Sequence, residues 1–263
     1  MSPNWLGVIC AGGALTLFYL SHRFGTNIAK KQRLILAFAA VIIALPGASF
    51  AFYYAHLISA PSWYYEFRSC RGTECLLLPL GLAGGLIATI LPRSLLILPL
   101  FGTAAFALAP ILKPIVHPIS PEIFYDKWDA NVCLQSTPST CGAASVATIL
   151  KHYQVQVSER EIAHDAYSYV GGTEAWYLAR VVRDRGYDAS FHFSSGFDPK
   201  ITLPAVAGVR LDSNGHFIAI LSRISDRFEI GDPLTGREVV SSNELADRYV
   251  FTGFYLSITR KEQ

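Results

Sequence analysis

Residues 131–151 read N-V-C-L-Q-S-T-P-S-T-C-G-A-A-S-V-A-T-I-L-K, with Cys141 at the centre. The polar, turn-forming approach from Gln135 to Thr140 contains Pro138 and gives way at Gly142 to small and aliphatic residues. That change predicts a loop entering a helix at Cys141. The unpaired N–H groups and positive dipole end of a helix favour a thiolate, and a neighbouring imidazolium favours it further. Gln135 precedes Cys141 by six residues, enough to fold back across the turn and stay beside the sulfur. Its side-chain amide and the Cys141 backbone N–H are candidates for the two donors of an oxyanion hole. Taken alone, the stretch fits a buried structural cysteine on a core helix equally well; a base and a carboxylate elsewhere in the chain decide between the readings.

Both occur downstream. The segment S-N-G-H-F-I-A-I-L-S-R-I-S-D-R-F-E-I-G-D-P-L-T-G, residues 213–236, predicts a turn at Asn214 and Gly215, a strand from His216 to Leu221, a tight turn near Ser225 and Asp226, and a second strand ending at Gly231. His216 opens the first strand and Asp232 closes the second, so antiparallel pairing brings imidazole and carboxylate to the same end. A histidine oriented by a carboxylate is what an activated thiol nucleophile requires.

The six-residue Gln-to-Cys spacing is that of papain-like cysteine peptidases. Within them, Q-S-T-P-S-T-C-G-A-A-S-V-A-T-I-L followed by His152 and Tyr153, and the later His216 with D-P-x-x-G from Asp232, resemble the bacteriocin-processing, double-glycine-leader peptidase family. The resemblance covers roughly residues 125–260, taking in G-G-T-E-A-W-Y-L-A-R-V-V-R-D-R-G-Y and the closing T-G-F-Y-L-S-I. It implies a papain-like fold, no cofactor, a peptide or protein precursor as substrate, and a catalytic set of Cys141 (nucleophile), His216 (general base), Asp232 (tautomer and orientation) and Gln135 (oxyanion donor). The same constellation also serves a thiol amidohydrolase or acyltransferase, and a non-cleaving leader-peptide-binding module is the remaining reading.

The chain before residue 118 has a different composition. It holds eight Lys and Arg against only Glu66 and Glu74, whereas the remainder holds 14 against 18 Asp and Glu. A net charge of +2 gives no reason to invoke nucleic acid. Apolar runs at 5–20, 34–58, 76–91 and 94–112 predict about four membrane helices, the last two forming a hairpin that turns at Leu91-Pro92-Arg93. Arg23, Lys30, Lys31 and Arg33 lie in the loop between the first two runs, which the positive-inside rule keeps cytoplasmic. Counting crossings from there puts the C-terminal domain outside the cytoplasm, anchored in what the resemblance implies is a bacterial cytoplasmic membrane.

Between the second and third runs, Trp63, Tyr64 and Tyr65 suit a membrane–water interface. Cys70 and Cys75 follow; a disulfide, two free thiols and, least favoured, a metal site all remain open there. Residues 113–124 carry three prolines and predict a stiff extended linker to a domain spanning 125–263.

Within that domain, helices at about 158–169 and 174–185 precede strands at about 188–193, 205–211, 216–222, 226–231, 237–241 and 249–258, an α+β order. Cys133 reads as packing, and Arg180, Arg183 and Arg185 as a solvated helix face. The chain contains no G-x-x-x-x-G-K-[ST] phosphate loop, so export of a product would fall to a separate transport system as partner.

Overall fold

Hydrophobic patterning divides the chain in two, and so does the computed structural model, which describes residues 3–211 and 214–261, although it groups residues 61–70 with the C-terminal part. Pro3–Ala60 with Arg71–Val116 form one compact unit, and Pro61–Cys70 with His117–Gln263 form the other.

The first unit is helical: α1 (Trp5–Thr26), α2 (Lys30–Tyr54), α4 (Leu78–Ala88) and α5 (Ile97–Val116). Close packing here rests on small residues, as is usual where both helix faces are apolar. A Cβ at Gly81 would run into the Ala14 carbonyl, and one at Gly85 into that of Phe18. Among the described residues three helical runs, Trp5–Thr26, Lys30–Tyr54 and Arg93–Val116, have the length and composition to cross a membrane; a fourth would need Ser62–Ser69 and Thr73–Ala88 taken together as one bent span. The expected third span at 76–91 is thus a short helix preceded by a 3-10 turn at Thr73–Leu77. Residues 113–116 are also not extended, because α5 continues through Pro110 and Pro114, both buried on one helix face. Cys70 and Cys75 are not bonded to each other; the Cys75 sulfur lies 3.9 Å from that of Cys10.

In the second unit the short strands β1 (Lys127–Asp129) and β2 (Val132–Leu134) lead to helix α6 (Cys141–His152). Two further helices follow, α7 (Glu159–Asp165) and α8 (Ala175–Asp184). Ser158 caps α7 by accepting from the Glu161 N–H at 3.2 Å, while Glu161 accepts from the Ser158 N–H at 2.8 Å. This is the reciprocal pattern that S-E-R-E announces. Glu174 is the N-cap of α8.

The sheet comprises β3 (Tyr187–Phe193), β4 (Ala205–Leu211), β5 (Asn214–Ile224), β6 (Arg227–Asp232), β7 (Gly236–Ser241) and β8 (Val250–Arg260), with α9 (Ser242–Arg248) before the last strand. All neighbours are antiparallel, in the order β3-β8-β4-β5-β6-β7. The architecture is the expected α+β, helices first and an antiparallel sheet after. One turn is displaced: Asn214 and Gly215 pair within β5 opposite Leu211 and Arg210, and residues 212–213 between the strands lie outside the described residues.

α3 (Ser62–Ser69) belongs to this second unit although its sequence lies between apolar runs. Tyr65 packs its ring against Trp176, Phe191, Phe193 and Phe254, with centroids 5.3 to 5.7 Å apart. Glu66 accepts from the Phe191 N–H at 2.7 Å and pairs with Arg183 at 2.6 Å. The Arg180 guanidinium donates to the carbonyls of Arg68, Ser69 and Cys70, which a helix C-terminus leaves without internal donors. Arg180 and Arg183 are therefore docking groups, not part of a solvated face, and Tyr65 is half-buried against the domain's aromatic rings where an interfacial ring was expected.

Candidate active site

Every residue of α6 from Cys141 to Leu150 is buried, because the small side chains of C-G-A-A-S let the helix lie directly on the sheet. Gly142 is required by this approach: a Cβ there would stand 2.9 Å from a Leu178 methyl and 3.2 Å from the Phe217 ring. Ser145 donates to the Phe217 carbonyl at 3.1 Å, fixing the first turns of the helix against the start of β5. Cys141 is the first residue of the helix, so its N–H has no acceptor within the helix.

His216 lies on β5 beside Cys141, and both are buried. Its Nε2 is 2.9 Å from Asp232 Oδ1. With that nitrogen engaged, Nδ1 is the one left for sulfur, and the neighbouring Cys141 thiol favours the protonated ring. Burial alone would push the His216 pKa down, but the bonds to Asp232 and Cys141 outweigh it and raise the pKa to about 9.

Asp232 ends β6 and begins the turn D-P-L-T-G. The Leu234 N–H donates to Oδ1 at 2.8 Å, so one carboxylate oxygen serves the turn and the imidazole together. Oδ2 accepts from the Tyr249 hydroxyl at 2.7 Å. Burial works to raise the Asp232 pKa, and these three donors overcome it and hold the carboxyl below its usual range.

The two halves of the site are joined through the backbone. The Gln135 N–H donates to the Pro233 carbonyl at 2.9 Å, so the turn that orients Asp232 also anchors the turn that carries Gln135. Gln135 Nε2 donates to the Thr137 carbonyl at 2.9 Å, which uses one of the two amide hydrogens. All four residues singled out in the sequence therefore converge on the junction of α6, β5 and the β6–β7 turn. Cys133, by contrast, is fully buried on β2, where burial pushes its thiol pKa up.

Comparison with known proteins agrees with the motif reading. Residues 129–263 match the model of the Peptidase C39 family, just over half of the chain. This chain belongs to that family of cysteine peptidases. An uncharacterized protein of Methanothermobacter marburgensis is 28% identical over 134 residues, 51% of this chain and 92% of that one. Among solved structures, a double glycine motif protease from an AMS/PCAT transporter in complex with the leader peptide is 24% identical with a TM-score of 0.43, covering 52% of this chain and 94% of that one. The peptidase domain of Streptococcus ComA, a bi-functional ABC transporter, is 18% identical with a TM-score of 0.42, covering 49% and 96%.

Two buried residues bonded beside the candidate site, Tyr249 on Asp232 and Glu159 on Ser136, carry no sequence signal. Tyr249 follows α9 without any motif around it, and Glu159 reads only as part of a helix start.

Proposed function

We propose that this chain is a membrane-anchored cysteine endopeptidase that hydrolyses a peptide bond in a leader or precursor peptide, with Cys141, His216, Asp232 and Gln135 as its catalytic set. The observation that carries the reading is His216 held between the Asp232 carboxylate and the Cys141 thiol.

Chemically, the imidazole takes the Cys141 proton and the sulfur attacks the scissile carbonyl carbon. The carbonyl oxygen becomes an oxyanion facing the Cys141 N–H and the second Gln135 amide hydrogen, a single such donor contributing about 3 kcal/mol. The C–N bond breaks as the imidazolium protonates the departing amine. Water, deprotonated by the same imidazole, then attacks the thioester and the thiol leaves.

Membrane anchoring is supported by the three long apolar helices. The side on which the domain works follows from a parity argument. Pro61–Cys70 and His117–Gln263 share one compact unit, which supports placing both on one side of the membrane. On that reading the chain between them crosses an even number of times. Four crossings in all then require residues 73–88 to cross, although Thr73–Ala88 has the length of a span only together with Ser62–Ser69. The basic loop between α1 and α2 is then cytoplasmic and the peptidase domain lies opposite it. A cleaved product would be handed to, or received from, a separate export system on that face.

Two measurements test this. Synthetic precursor peptides with a Gly-Gly junction should be cut by the purified chain and not by Cys141→Ala; equal cutting by both removes the assignment. A reporter active only outside the cytoplasm should be active when fused after Ala60 or after Ile119. Opposite results at the two positions would break the parity argument.

A further inference from the structure

Glu159 is a buried carboxylate with no exposed surface, and the mechanism above does not use it. It faces the turn between Gln135 and Cys141. The Ser136 N–H lies 2.9 and 3.1 Å from its two oxygens, and the Ser136 hydroxyl donates to Oε2 at 2.5 Å. Ser136 directly follows Gln135, so this one side chain grips the residue adjoining one of the two oxyanion donors.

The rest of the turn is closed on itself. Thr140 Oγ1 accepts from the Thr137 N–H at 3.1 Å and donates to the Thr137 carbonyl at 3.0 Å. From outside, the Tyr125 N–H donates to Ser136 Oγ at 3.2 Å and the Tyr125 hydroxyl to the Ser136 carbonyl at 3.0 Å. A carboxylate is rarely kept this far from water without a cation beside it, because its desolvation is costly. A fold that needed only a filler here would use an apolar residue. What a carboxylate supplies that an apolar residue does not is a fixed acceptor for several donors at once.

We infer that Glu159 is a positioning residue for the oxyanion hole: it holds Ser136 so that the neighbouring Gln135 amide is aimed before substrate arrives. This rests on the reading of Cys141 as nucleophile and Gln135 as oxyanion donor. Preorganised donors are the condition under which such a hole accelerates acyl transfer.

The test compares two reactions of Cys141 in the full-length protein. Acylation by 4-nitrophenyl acetate builds an oxyanion, whereas alkylation by iodoacetamide does not. Glu159→Ala should slow acylation on the order of a hundredfold, the size of one lost donor, and leave alkylation within about twofold of the parent. Glu159→Gln preserves shape and one acceptor, and should recover most of the acylation rate. Combined with Gln135→Ala, neither substitution should slow acylation further, because both act through the same amide. Parallel loss of alkylation and acylation in Glu159→Gln, or additive losses in the double variants, would overturn the inference. If Gln135→Ala itself acylates normally, the oxyanion reading of Gln135 fails first and this inference falls with it, a result distinct from either of the others.

Discussion

His216 Nε2 and Asp232 Oδ1 stand 2.9 Å apart with both side chains buried, and that contact ties the protonation of the imidazole to a carboxylate that stays ionised. The His216 pKa is raised to about 9, above the ordinary histidine value, so the imidazolium is the dominant form at neutral pH. Stability from the pair is fully present below about pH 6.5 and is lost as the pH rises through about 9. Peptide hydrolysis, whose departing amine needs the imidazolium proton, should show an alkaline limb near pH 9, whereas iodoacetamide alkylation, which needs only the thiolate, should not. Asp232→Asn should move that limb toward the ordinary histidine range, and an unmoved limb would separate the carboxylate from the base.

Gln135→Ala offers a second test. Its amide touches the Thr137 carbonyl and has a hydrogen to spare, so its loss should lower kcat about a hundredfold or more while iodoacetamide still labels Cys141 at the parent rate. Equal losses in both reactions would mean that Gln135 acts on the thiol and not on the oxyanion.

Tyr249 donates to the Asp232 oxygen that His216 does not use. A hydrogen bond to a charged group contributes about 1.5–3 kcal/mol, so Tyr249→Phe should lower the melting temperature measurably. Because the phenol steadies Asp232 without touching the sulfur, kcat should fall by less than about tenfold, well short of the effect of one lost oxyanion donor. A larger loss of kcat at unchanged stability would place the hydroxyl in the chemistry itself.

Docking of α3 predicts a stability effect from outside the contiguous peptidase sequence. Tyr65→Ala removes a half-buried ring packed against four others and should destabilise the domain by about 2–3 kcal/mol, below the range for fully buried aromatic truncations. Trp176, 5.6 Å from the Tyr65 ring, provides a fluorescence signal for thermal unfolding. An unchanged transition would show that α3 contributes nothing to the fold.

The four proposed site residues could be singled out in the sequence because each is tied to a feature with its own local signature. Cys141 begins a small-residue helix, His216 and Asp232 mark the ends of a hairpin, and Gln135 lies at a fixed offset inside one turn. What the sequence hid depends on distant pairing. Arg180 and Arg183 have the spacing of a solvated face, and only the packing of α3 supplies their acceptors. Tyr249 and Glu159 meet Asp232 and Ser136 through tertiary contacts that no periodicity encodes. The helical course of residues 113–116 was masked by prolines, which break helices in water but are accommodated where their ring faces are buried together on one side.

The central claim is that the sulfur of Cys141 becomes covalently joined to the substrate during turnover. Rapid acid quenching of the full-length protein while it cleaves a Gly-Gly precursor peptide, followed by peptide mapping in a mass spectrometer, reads this directly. The account predicts the N-terminal fragment of the substrate as an acyl group on Cys141. Cleavage at an undiminished rate by Cys141→Ala, or an acyl group found on another residue, would contradict it.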